Sequence, residues 1–261
     1  MAYLGELRDF LNDPGLWFSA ALLLIVVLVS LLQHLKLEKD LLLSCLRGFL
    51  QLTLIGFVLI WIFALKNLWV VWAALNVMLF LAGRIAGKRG QSIPHATAIA
   101  WFSLTLTAHF TLALLVIGKA IQPTAEYLIP IGGMIIGNSM NGAGLTMDRL
   151  KAEMNLRRPE ILVNLSLGAS ARQAVQDIFH FVLRASLIPA IDTMKALGFI
   201  FLPGMMAGMI IAGKSPLLAV RYQLIVMFML VASAAITNWL VLTLAYRQFF
   251  TPHIQLKLSE E

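Results

Sequence analysis

The chain has 261 residues, of which 60% are hydrophobic and 13% charged, with a mean hydropathy of +0.85. Soluble domains carry ~25% charged residues, so this composition excludes an ordinary water-soluble globule and points to a polytopic membrane protein. The net charge of +7 does not call for nucleic acid, because basic residues collect in cytoplasmic loops of membrane proteins.

In chain order, residues 1–15 are short and mixed, and Leu4, Leu7, Phe10 and Leu11 share one helical face, which predicts a small interfacial helix. A first span follows at about 16–33. It lacks a basic n-region and a small-x-small cleavage site, so it reads as a retained span rather than a signal peptide. A second span covers about 41–64 and contains Cys45, the only cysteine, which excludes an intrachain disulfide. Arg47, near its start, snorkels to the interface. A third span, about 68–84, leads into the basic stretch GRIAGKRGQ, and Pro94 opens a fourth that runs to Ile117.

The fifth span, Glu126 to Arg149, is the most informative. Five glycines thin its surface, and Asn138 and Asn141 place amides at membrane depth, where an unsatisfied polar group is costly. Gly133, Gly137 and Asn141 recur at i, i+4, i+8, and Met134, Asn138 and Asn141 at i, i+4, i+7. They therefore share one side of a helix. Two readings stand: tight helix packing with interhelical amide bonds, or the lining of a transport path.

The polar segment 148–195 is expected as a cytoplasmic loop with two short helices. Pro159 suits the first position of one helix and Glu160 its positive end. Gly168 can end that helix in a left-handed conformation. Ser170 then caps the next, with Gln173 completing a capping box. Such an element either docks into a partner's groove or lies on the headgroups. A sixth span is expected at about 196–213 and a seventh at about 219–244, giving a single all-α membrane domain over 1–261 with about seven transmembrane helices. No repeat or second soluble domain is evident.

Charge sets the expected orientation. Lys36 and Lys39, Arg84, Lys88 and Arg89, the basic residues of 148–195, and Arg247 and Lys257 follow spans one, three, five and seven. Only Arg8, Lys66, Lys119 and Lys214 fall on the other side, which places the N-terminus outside and the C-terminus in the cytoplasm.

Gly208 to Ser215 matches the phosphate-loop pattern G-x-x-x-x-G-K-S literally. A phosphate loop needs a strand before it and a helix starting at its lysine. Here an apolar helix precedes it and Pro216 follows, so no nucleotide site is expected, and Gly204 and Gly208 read instead as helix-packing positions. Met205, Met206 and Met209 join Met134 and Met140 as thioethers. These suit soft ions, although methionines more often serve as packing material. His109 sits in the middle of the fourth span as a pathway candidate, or as a histidine satisfied by Thr105 one turn away.

Four stretches carry a resemblance. NLSLGASARQAV, RASLIPAIDTMKALGFIFLPGMMAG with SPLLAVRYQLIVMFML, and IPIGGMIIGNSMNGAGLTMDRL together resemble the FetB family of membrane permeases. The resemblance implies a permease subunit of an ABC transporter in the cell membrane that exports a metal cation, iron by family association, with plant relatives linked to aluminium tolerance. It further implies a homodimer and two copies of a separate ATPase that holds Mg-ATP, with no cofactor or catalytic residue in this chain. The Leu167-Gly168-Ala169-Ser170 corner resembles the coupling loop of bacterial ABC importers, although Val163-Asn164-Leu165 stand where that loop has an acidic-Ala-Ala run. On this basis Glu160, Leu167, Gly168, Ala169, Ser170 and Arg172 are expected to meet the ATPase. The alternatives are a gradient-driven transporter of a small cation and a non-transporting membrane scaffold.

Overall fold

The structure is a computed structural model that describes residues 12–34, 38–65 and 67–257. The interfacial helix expected around Leu4 to Leu11 lies outside them.

Two compact units divide the chain. The first, Met1–Leu65, contains α1 (Pro14–Leu32) and α2 (Glu38–Leu65). Asp13 starts α1 by accepting from Gly15 N at 2.8 Å, with Pro14 at the first position. Glu38 and Asp40 occupy the first turn of α2, where the helix dipole favours negative charge. Ser30 donates to Glu38 across the connection at 2.8 Å.

The second unit, Lys66–Glu261, holds the bundle. Asn67 caps α3 (Leu68–Arg89), which runs on through the stretch expected to be a basic loop. The reason lies in Gly83 and Gly87, one turn apart on the face of α3 that meets α4 (Ala96–Ile117). A Cβ at Gly87 would stand 2.5 Å from Thr97 Cα, and one at Gly83 would stand 2.7 Å from Trp101 Cβ. Absent side chains let the two backbones touch, and this packing continues along α3 to its last turn.

Next come α5 (Ala125–Leu156), α6 (Arg158–Ser166), α7 (Ala171–Ala174), α8 (Gln176–Ala196), α9 (Gly204–Ile211) and α10 (Pro216–Ala245), followed by a 3-10 turn at Tyr246–Phe249. α5 packs on α3, α4, α8 and α10, so it is the hub of this unit.

Among the described residues, four helices are long and apolar enough to cross a membrane: α2, α3, α4 and the run Pro216–Phe249, with Ala21–Leu32 as a shorter apolar stretch. α5 is long enough but too polar to join them. The chain is thus an all-α membrane bundle, and the expected spans one to five and seven correspond to α1–α5 and α10.

The sixth span needs correction. Residues 196–213 do not form one helix: α8 ends at Ala196, Gly198 turns at φ +84°, and α9 has only eight residues. At ~1.5 Å per residue α9 is about 12 Å long, well short of a ~30 Å hydrocarbon core. The 148–195 segment is not mainly loop either. Its two short helices, α6 and α7, are present, but α8 fills the rest with 21 residues. Ile178, Phe179, Val182 and Ser186 recur at helical spacing and are buried, whereas Asp177, His180 and Arg184 beside them lower the overall hydropathy. Those charges hide the buried stripe from a composition-based reading.

Candidate functional site

Three features of the second unit bear on function: a cavity under α5, an exposed corner beside it, and a core that ties the two together.

The cavity, of about 190 Å³, lies between α5, α8, α10 and the segment after α8. Its polar lining is Asn138, Thr193 and Gln223, with Met194 and Met227 among the apolar walls. Asn138 Nδ2 donates to Leu230 O of α10 at 3.0 Å, and Thr193 donates to Pro189 O at 2.8 Å. Gln223 Oε1 is buried with no hydrogen-bond partner among the described residues.

The structure brings few of the expected pathway residues together. Of them, Asn138 alone lines this cavity. Met134, one turn earlier on α5, is half-buried, and Asn141 is exposed. Met205, Met206 and Met209 are half-buried on α9, which packs against α10. His109 lies elsewhere, on an apolar cavity of about 530 Å³ with Trp69 and Trp72. Its Nδ1 pairs with Thr105 O at 2.9 Å, and its Nε2 has no partner among the described residues.

The helix-packing expectation also needs correction. A Cβ at Gly137, Gly204 or Gly208 would meet nothing within 4 Å, and one at Gly133 only Met78 Cε at 3.2 Å. Close approach occurs at neighbouring positions. A Cβ at Gly132 would stand 2.5 Å from Leu75 Cδ2, at Gly142 2.5 Å from the Asn238 amide, and at Gly144 2.7 Å from Arg89 Cδ. Of the glycines read as packing positions on α5, Gly133 meets only the end of Met78 on α3 and Gly137 meets nothing, while the tight contacts with α3 and α10 fall at Gly132, Gly142 and Gly144.

Asn238 was not singled out from sequence. It is fully buried on α10. With its amide oriented to satisfy both ends, the nitrogen donates to Gly142 O of α5 and Ala234 O, and the oxygen accepts from Ser186 Oγ of α8, each at 3.2 Å. One amide therefore joins the three helices that enclose the cavity. The available signal was an amide inside an apolar span, the criterion that found Asn138.

The corner between α6 and α7 forms as its sequence predicts. Gly168 has φ +88°, a left-handed conformation that disfavours any side chain. Ser170 N donates to Gln173 Oε1 at 2.9 Å and Gln173 N donates to Ser170 Oγ at 3.4 Å, completing the capping box. Leu167 at the apex is 80% exposed, and Leu162 and Val163 are exposed beside it. Arg172 stacks over Phe179 at 5.1 Å, and Phe179 meets Tyr246 edge-on at 6.2 Å. Arg172 and Ser170 also line a polar recess with Gln173, Gln176 and His180. Glu160 is exposed on the first turn of α6.

This corner is rooted rather than free. Ile161 is fully buried in a core with Met147, Leu150 and Met154 of α5 and Leu242 and Ala245 of α10. The corner therefore shares a core with the ends of α5 and α10, two of the three helices that wall the cavity.

The phosphate-loop look-alike is a helix–turn–helix junction. Gly213 turns at φ +79° after α9, and Ser215 caps α10 by accepting from Leu218 N at 3.3 Å, with Pro216 at the first position. Lys214 thus stands between a helix end and a helix start, not at the start of a phosphate-binding helix.

A family model described as "Uncharacterised protein family (UPF0014)" matches residues 14–250. The chain belongs to the UPF0014 family. It is 38% identical to "Protein ALUMINUM SENSITIVE 3" of Arabidopsis thaliana, over 95% of each chain. It is 38% identical to the UPF0014 membrane protein STAR2 of Oryza sativa subsp. japonica, over 93% of this chain and 89% of that one. It is also 34% identical to the "Probable iron export permease protein FetB" of Escherichia coli strain K12, over 96% of each. No solved structure matches the chain. Together with its apolar helices, UPF0014 membership makes this a multi-pass membrane permease.

Proposed function

We propose that this UPF0014 chain is the permease subunit of an ABC transporter that exports a metal cation, iron first among the candidates. It pairs with a second copy in the cell membrane, with the N-terminus outside, and two copies of a separate ATPase dock beneath. One observation carries the reading: an exposed, doubly capped corner with Leu167 at its apex shares a core with the ends of α5 and α10. A transporter driven from outside its own chain needs such a device, because closure of an ATPase pair must become movement of the helices around the cargo. Iron comes from the printed name of the Escherichia coli relative.

The gradient-driven alternative wants a titratable group on the route. The described lining of the Asn138 cavity contains none, and His109 stands on a separate cavity.

The test is transport in inside-out proteoliposomes, in which the ATPase faces the outer solution. Uptake of iron on adding Mg-ATP, absent without the ATPase and indifferent to an imposed proton gradient, is the expected result. Uptake driven by the gradient alone would replace the ABC reading with the alternative.

A further inference from the structure

α8 carries an exposed ion pair at a depth where lipid cannot receive one. Lys195 Nζ donates to Asp192 Oδ1 at 3.2 Å, and the two side chains are 73% and 60% exposed. Packing fixes their level. α8 runs antiparallel to α5 and α10: Phe179 and Val182 share a core with Met147, Leu150 and Leu242, whereas Thr193 and Met194 share the cavity with Asn138 and Met227. Through the Asn238 amide, Ser186 stands level with Gly142. Asp192 is six residues further along α8, about 9 Å, which brings it level with Ile136 of α5 and Ala232 of α10. Ile136 lies midway between the charged residues Glu126 and Asp148, and Ala232 lies at the middle of α10. The pair therefore sits near the centre of a ~30 Å hydrocarbon layer.

Charges at such depth face a bundle interior or water, not lipid. This pair is not alone on its side of the helix. Asp177, Arg184 and Lys195 recur at i, i+7 and i+18, so they share one face of α8, and all three are exposed. The opposite face, with Ile178, Val182 and Ser186, is the one packed into the bundle. Charged groups thus run along the uncovered side from the end nearest the α6–α7 corner to the middle of the layer. Lipid rejects such a run, and a water-filled passage accepts it.

We propose that the uncovered side of α8 lines the aqueous part of the transport route, and that Asp192 is the carboxylate at which a cation pauses halfway, displacing the Lys195 ammonium as it arrives. Carboxylate and water oxygens suit a hard divalent cation. Among the described residues, no group of three or more His, Cys, Asp or Glu could hold a metal ion, so the site is a weak one. Weakness fits a route, since a passing ion must leave as readily as it enters. That the cation is cargo rests on the permease reading above, and the site serves it whichever energy source drives export.

Single cysteines in a Cys45→Ser background, in membranes, test for water. A cationic methanethiosulfonate attacks the thiolate, which forms in water and not in lipid. Asp192→Cys should react about tenfold faster, or more, than Leu106→Cys, an exposed apolar position in the middle of α4. Equally slow reaction overturns the proposal. The wild-type chain tests the cation, and decides the matter even if the cysteine variant fails to fold. A water-soluble carbodiimide with an amine nucleophile should label Asp192, read by peptide mass spectrometry. Manganese(II) should protect it at concentrations that leave Glu160 labelled. Lys195→Gln should lower the manganese concentration for half-protection about tenfold, because the competing ammonium is gone. A pair that only braces the helix gives no such gain. An Asp192 that stays unlabelled, or whose labelling manganese leaves unchanged, overturns the cation site. If manganese protects Asp192 but proteoliposomes transport no iron, the cargo reading falls and the site stands. If iron moves and Asp192 is unprotected, the reverse holds.

Discussion

Asn238 fills the notch that Gly142 leaves in α5: the missing side chain admits the amide, and the glycine carbonyl receives one of its protons. Either residue alone would be unremarkable. Together they let a polar group cross a helix interface with both ends satisfied, at a place where an orphaned amide would be costly.

Gly142→Ala should therefore destabilise the chain by about 1–3 kcal/mol, because the new Cβ would stand 2.5 Å from the Asn238 amide. Asn238→Ala should also destabilise it, by unpairing its partners. The double variant should lose less than the sum, since each change relieves the other. Thermal unfolding of the detergent-purified variants reads this, and strict additivity would show that the two side chains do not share the notch.

At the corner, Gly168→Val forces a side chain into φ +88° at a cost of roughly 1 kcal/mol or more, and Ser170→Ala removes a cap worth about 1 kcal/mol. Neither should unfold the bundle. Both should reduce cargo-stimulated ATP hydrolysis in the reconstituted complex, the valine variant more strongly. Full stimulation by Gly168→Val would remove the corner from the coupling path.

Leu167→Glu tests docking without touching the fold, because the side chain is already exposed. The expected outcome is an unchanged melting temperature with loss of ATPase co-purification. Retained co-purification would leave this corner lying on the headgroups instead.

Lys214→Ala should change neither nucleotide binding nor transport, since Gly213 ends one helix and Ser215 begins another. Calorimetric titration with Mg-ATP should give no heat for either protein, and micromolar binding abolished by the variant would contradict the junction's reading.

Orientation can be read with single cysteines in a Cys45→Ser background. Gln122→Cys should react with an impermeant maleimide on intact cells, and Gln91→Cys only after permeabilisation. Labelling of both from the same side would break the expected alternation across α4.

What the sequence disclosed depended on how local the signal was. The Gly168–Ser170 corner was legible because its caps are set by residues three apart, and the structure forms them in that order. α8 was not, because Asp177, His180 and Arg184 sit beside its buried positions and mimic a polar loop. α9 was over-extended because an apolar run carries no mark of the break that Gly198 makes. At the site, Asn138 was found by its polarity within the glycine-rich helix, whereas Gln223 and Asn238 sit in a more apolar helix that reads as a plain span. Which glycines face a neighbour is a matter of helix rotation. On an ideal helix Gly144 shares the side of Gly133 and Gly137 and Gly132 does not, yet it is Gly132 and Gly144 that have close neighbours, so only the packed partners decide which glycines are covered.

The polarity of α5 and α8 has a consequence for how the chain is made. Neither enters lipid on its own merits, and α10, which shelters both, leaves the ribosome after them. For the time needed to synthesise residues 157–245, α5 must wait with Ser139, Thr146 and the Gly142 carbonyl uncovered on the side that α10 will close. A chain truncated before Pro216 should therefore be a target for membrane quality-control proteolysis rather than a stable fragment, and supplying α10 as a separate peptide should protect it.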